Sequence, residues 1–240
     1  MSIFVEVARW FADPAHWDGS FGIPNRLWEH VQMSFLATLT AAALALPVGV
    51  VLGHYGRGGN LAINVSNLGR AVPSFGILVI AVQLFGIGAP PAFIALVALA
   101  VPPIVTNAYV GMRDVDPELK EAARGLGMRE HITLLRVEMP VALPVVMAGI
   151  RTAGVQVVAT ATLAAVVAWG GLGRYIVDGF AQRDDVQIFA GAILVASLAM
   201  LAELALAGLQ WLATPKPMRG HLLRTDRSGP DATIVLSPTT

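Results

Sequence analysis

From Ala71 to Met112 the chain runs for 42 residues without one Asp, Glu, Lys or Arg. As a single helix that stretch would reach about 63 Å, roughly two hydrocarbon thicknesses of a bilayer. Its middle reads Gly86-Ile87-Gly88-Ala89-Pro90-Pro91, which breaks a helix through glycine's freedom and proline's missing donor. The run therefore divides into two membrane spans, about 71–86 and about 91–112. Hydrocarbon offers no water to backbone groups, so each span must be a helix.

Three more spans follow from gaps between charges. Residues 31–53 lie between Glu29 and Arg57, residues 141–168 are interrupted by Arg151 alone, and residues 187–213 by Glu203 alone. The expectation is an all-α, polytopic membrane protein with about five transmembrane helices. Its transmembrane domain covers 31–213, preceded by an external segment 1–30 and followed by a polar, partly disordered tail 214–240. Composition agrees, with 55% hydrophobic and 13% charged residues against about 25% charged in soluble domains. A formal net charge of zero argues against a nucleic-acid surface, and the lack of cysteine excludes disulfides, thiolate metal sites and Cys nucleophiles. Residues 1–30 are too charged to hold a signal-peptide core, so insertion is expected to rely on the spans. Trp10, Trp17 and Trp28 suit an aromatic anchor along the outer interface.

Five spans place the termini on opposite sides of the membrane. The loops 54–70, 113–140 and 214–240 together carry eleven Lys and Arg, against four in 1–30 and 170–186. The positive-inside rule then sets the N-terminus outside and the C-terminus in the cytoplasm.

The cytoplasmic loop 113–140 has the pattern of two short helices. Asp116-Pro117 is a helix start, with Asp as N-cap and Pro at the first helical position. Leu119, Ala122, Ala123 and Leu126 recur at helical spacing and form one thin apolar face. Gly125 and Gly127 end the helix, and Gly127 takes the left-handed conformation cheaply. A second helix with Ile132, Leu135 and Met139 on one side is closed by Pro140. Such a helix suits insertion into a groove of another protein, or it lies on the lipid headgroups.

Glu121-Ala122-Ala123, three residues, Gly127, nine residues, then Val137-Glu138-Met139-Pro140 resembles the EAA motif of ABC importer permeases. The usual ending is I-x-L-P, from which Val137 and Met139 depart conservatively. Further segments resemble the glycine betaine/carnitine/choline/osmoprotectant branch of that family over about 31–212. They are Arg70–Phe75, Phe85–Gly88, Ala148–Ala153, Thr160–Ala165 and Gly170–Gly173. The resemblance implies a type I ABC importer permease of MetI-like fold, with 113–140 as the coupling loop. Glu121, Ala122, Ala123, Gly127, Met139 and Pro140 would couple to a cytoplasmic ATPase. It further implies a second permease chain, identical or paralogous, an external substrate-binding protein and a lipid bilayer around them. ATP and Mg would reside on the ATPase, with no cofactor on this chain, which holds no G-x-x-x-x-G-K-[ST] sequence. The permease of a methionine-type or other small-solute importer stays open as an alternative. A membrane anchor or intramembrane enzyme is the alternative of another class, but no His-Glu-x-x-His and no intramembrane Ser–His pair is present.

Polar residues inside the spans are the remaining candidates. Ser74, Gln156, Thr160, Thr162 and Glu203 either line a translocation path or make interhelical and backbone hydrogen bonds. Arg151 either snorkels to the interface or ties its span to the coupling loop. Gly170, Gly171 and Gly173 read as a tight external turn, and the resemblance makes that turn part of an outer gate. No aromatic cage of the kind that grips a quaternary ammonium is evident in the spans.

Overall fold

The computed structural model describes residues 2–59, 64 and 73–215. Arg70, Ala71, Val72 and the tail beyond Pro215 lie outside the described residues, as does most of the expected first cytoplasmic loop. Every regular element among the described residues is helical. In chain order these are α1 (Ile3–Ala12), α2 (Ile23–His54), α3 (Ser74–Phe85), α4 (Ala89–Arg113), α5 (Pro117–Gly125), α6 (Glu130–Thr133), α7 (Met139–Thr160), α8 (Gly173–Gln182) and α9 (Asp185–Ala213). A π turn, Leu134–Glu138, joins α6 to α7, and a 3-10 segment, Ala161–Val167, continues α7.

Among the described residues four helices are long and apolar enough to cross a membrane: α2, α4, the continuous run Glu130–Val167, and α9. The twelve residues of α3 form a shorter apolar helix, about 18 Å long and less than a full hydrocarbon core. It starts after Pro73, which stands at its N-cap rather than inside it.

α4 sits at the centre, packed on α2, α3 and α7. About 39% of its most apolar window is buried against 6% for α9, so α9 is the peripheral helix and turns its apolar surface outward. Small side chains set the central contacts: Ala37, Ala41, Ala45, Ala95, Ala100 and Ala153 form the core with Ile104 and Val157. Near the end of α2, Gly49 and Gly53 lie against α4 so closely that a methyl at either would meet backbone of Val105 or Tyr109 at 2.7 and 2.6 Å. Without a hydrophobic drive between helices in lipid, such backbone proximity is what holds them together.

Two expectations are corrected here. Trp10 is buried, its ring 5.4 Å from Tyr175 and stacked 3.9 Å from His16, in a cluster with Val7, Leu172 and Ala190. It therefore fastens α1 to α8 and α9, while Trp17 and Trp28 stay exposed. Pro140, expected to close the second short helix, instead lies in the first turn of α7, and the helix runs on through it. A proline ring clashes with the carbonyl four residues back. The wide π turn just before it, closed by Met139 N–H to Leu134 O, opens the backbone there and removes the reason to stop.

Candidate functional site

The hairpin of α5 and α6 is built as its residues dictate. The Asp116 carboxylate accepts from Glu118 N–H at 2.8 Å and caps α5. Gly127 adopts φ +77° and turns the chain; Gly127 N–H bonds Arg124 O and Met128 N–H bonds Ala123 O. Nothing crowds the place where its Cβ would stand, so the backbone conformation alone demands glycine there. The apolar stripe divides in two. Ala123 turns inward and is buried, whereas Glu121, Ala122 and Leu119 are exposed and Leu126 is 84% exposed at the tip. Arg124 pairs with Glu130 at 3.1 Å across the turn. Met139 and Pro140 lie half-buried at the hairpin's root.

The second helix of the hairpin differs from its expected face. Leu135 is 61% exposed, while Glu138 is wholly buried. The His54 ring nitrogen Nδ1 stands 2.9 Å from each Glu138 oxygen, and Lys120 Nζ lies 3.2 Å from one of them. Lys120 also donates to Met112 O at 3.2 Å, and His54 Nε2 lies 3.6 Å from Glu130. Nearby, Arg113 donates to Gly56 O at 3.1 Å, tying the ends of α2 and α4. A buried carboxylate is tolerable only with partners of this kind.

Arg151 takes neither course expected of it. Its guanidinium pairs with Glu203 on α9 and donates to Gln210 at 3.3 Å, whose own amide donates to Pro144 O at 3.0 Å. The intramembrane charges thus neutralise each other between α7 and α9, and Arg151 does not reach the loop 113–140. Ser74 and Thr160 come together at a small pocket with Leu78, Ala92, Ala95, Leu96 and Leu163. Gln156 is exposed on α7. Thr162 bonds back to Ala159 O at 3.0 Å, so its hydroxyl serves the start of the 3-10 segment.

The glycine turn lies at the far end of the bundle. Gly171 has φ +82° and donates its N–H to Glu29 at 2.8 Å. Leu172 N–H donates to His30 Nδ1 at 3.3 Å, and His30 Nε2 faces Val158 O at 2.8 Å. Nδ1 therefore accepts, Nε2 carries the proton, and His30 is held neutral. Glu29 is itself gripped by Arg26 at 2.8 Å. Gly170 and Gly173 sit where a Cβ would run into Glu29 and into the Thr162 backbone. Just beyond, the Tyr175 hydroxyl donates to Phe21 O at 2.8 Å, and burial pushes that phenol's pKa up.

Glu29, His30, His54, Lys120, Glu138 and Gln210 were not singled out by motif or spacing. Apart from Lys120, which lies in the middle of α5, their shared signal is position: each is a polar residue within a few positions of a span's end or inside one, where an unpartnered polar group is expensive.

The family model described as "Binding-protein-dependent transport system inner membrane component" matches residues 45–215. The carnitine transport permease protein OpuCB of Listeria monocytogenes is 39% identical over 80% of this chain and 88% of that protein. The choline transport system permease protein OpuBB of Bacillus subtilis is 37% identical over 81% and 89%. The osmoprotectant import permease protein OsmW of Salmonella typhimurium is 32% identical over 84% and 96%. Among solved structures, a chain of the MetNI methionine ABC transporter in an inward-facing conformation superposes with a TM-score of 0.68 at 23% identity, over 78% of this chain and 94% of that one. This likeness carries the fold, while the sequence matches carry the kinship. The chain belongs to the inner-membrane components of binding-protein-dependent transport systems, the permease subunits of ABC importers.

Proposed function

We propose that this permease imports small quaternary-ammonium osmoprotectants and is driven by a separate ATPase that receives the α5–α6 hairpin. The observation that carries the coupling is the exposed outer face of α5, with Leu126 84% exposed at the tip. An apolar tip in a segment that faces water gains by entering a partner's groove. Glu121, Ala122, Ala123, Gly127, Met139 and Pro140 form this docking unit, the first four on or beside the outer helix and the last two at its root. The chain crosses the membrane with its N-terminus outside and its C-terminus in the cytoplasm, as the eleven positive charges against four support. A second permease chain completes the path, to which Ser74, Gln156 and Thr160 contribute, while Thr162 and Glu203, expected beside them, are held by Ala159 O and Arg151; the Gly170–Gly173 turn closes its outer side. An external binding protein delivers the solute, and ATP and Mg bind the ATPase. The substrate class follows the solutes after which the relatives are named: carnitine, choline and osmoprotectants.

The test is the Gly127→Val variant in the assembled importer. A β-branched residue at positive φ distorts the hairpin tip without touching the spans. ATP hydrolysis is expected to continue, and solute uptake to fall at least roughly fivefold, the scale of a coupling energy between two sites. Full coupling in that variant would overturn the docking assignment. Uptake of labelled choline, carnitine, glycine betaine and methionine, side by side, decides the substrate class; methionine alone would replace it.

A further inference from the structure

One carboxylate stands where five helical segments meet. Glu138, on the π turn, has no exposed surface. It holds His54 at the end of α2 and Lys120 in the middle of α5. Lys120 reaches on to Met112 O at the end of α4. His54 faces Glu130 of α6, which Arg124 of α5 also grips. The hairpin is thus fastened to the bundle at its base by charge, while its tip is bare.

The physical consequence is directional. Moving α5 away from Glu138 would leave a carboxylate in a dry site without its cation, the costliest kind of broken contact. Displacing α5 relative to α2 is therefore resisted, while displacing both together is not. Ordinary apolar contacts between the hairpin and the spans would slide more easily, since dispersion is nondirectional and each contact is weak.

We propose that Glu138 is a positioning residue of the transport cycle: clamped by Lys120 and His54, it makes α5, the end of α2 and the start of α7 move as one body. This rests on the reading of α5 as the ATPase-docking helix. The clamp converts a push on α5 into a shift of the two spans, α2 and α7, that both pack on α4.

The test uses the complete importer, with its ATPase and binding protein, in proteoliposomes, and reads solute moved per ATP hydrolysed. Glu138→Gln keeps shape and removes the charge; Lys120→Met removes the cation from the docking helix, whose partial exposure makes misfolding a lesser concern. In both, the ATPase is expected to copurify while solute per ATP falls at least roughly fivefold. Lys120→Arg, which keeps the charge, restores the ratio. A merely structural role would lower yield and leave the ratio of assembled complexes unchanged. An assembled Lys120→Met complex with the unaltered ratio overturns the proposal, whatever becomes of Glu138→Gln. If the unaltered chain itself recovers no ATPase, the docking reading fails and this inference falls with it.

Discussion

Helix α2 carries a histidine near each end, about 36 Å apart along its axis, and the two are fastened in opposite ways. His30 is buried among dipoles: it accepts from Leu172 N–H and donates to Val158 O. The nearest charge, Glu29, sits at the edge with its side chain 26% exposed. His54 is buried against the Glu138 carboxylate, with Lys120 completing the cluster. Neutral hydrogen bonds separate one at a time, each at modest net cost. A buried ion cluster holds until its charges part, and then loses most of its stabilisation together. The end with the glycine turn is therefore built to loosen in steps, and the end with the hairpin to move whole.

That contrast can be broken experimentally. The largest effect is expected from Glu138→Leu, which strands Lys120 and His54. Loss of a partner from a buried pair costs about 3–5 kcal/mol, read as a lowered thermal midpoint of the purified protein. His30→Phe keeps the ring volume and leaves Leu172 N–H and Val158 O unpaired, at about 1–3 kcal/mol. The Leu172 amide then exchanges its hydrogen faster while that of Lys120 does not. A midpoint for His30→Phe as low as for Glu138→Leu would erase the distinction between the ends. Between them lies the Arg151–Glu203 pair, partly exposed in the isolated chain. Arg151→Met and Glu203→Leu each leave a lone intramembrane charge, so the double variant should recover about 0.5–3 kcal/mol of the summed loss. Strict additivity would show that the two charges act independently. The smallest change belongs to Glu29→Gln, which keeps an acceptor for Gly171 N–H and weakens the contact with Arg26 by about 1 kcal/mol or less. Its midpoint is expected within a few degrees of the unaltered chain's.

The membrane class, the helical content and the hairpin were legible in the sequence because each rests on a local signal. The charge-free run 71–112, broken at Gly86–Pro91, yields α3 and α4 separated by Gly86 and Gly88 at positive φ. Asp116, Pro117 and Gly127 mark the ends of α5 through backbone chemistry that needs no distant partner. The polar contacts were not legible, because their partners are far apart in the chain: Glu29 and Gly171 are separated by 142 positions and His54 and Glu138 by 84. The Gly49-x3-Gly53 spacing on α2 was readable in principle as a close-packing signal, and the structure uses it as one against α4. Trp10 shows the opposite failure. An amphipathic ring suits a membrane interface by type, yet the stacking on His16 and the edge contact with Tyr175 draw it inward.

The π turn at Leu134–Glu138 has a consequence for phase. A turn wound through an extra residue shifts every later side chain by about 100° around the axis relative to an unbroken α-helix. The helical wheel of the hairpin and that of the span are thus drawn on different origins. Within the turn itself Leu135 faces outward and Glu138 inward. Removing one residue from 134–138 would bring the two wheels back into register while leaving both sequences otherwise intact. The span would then keep its apolar face toward α4, and the hairpin would point about 100° away from its present direction.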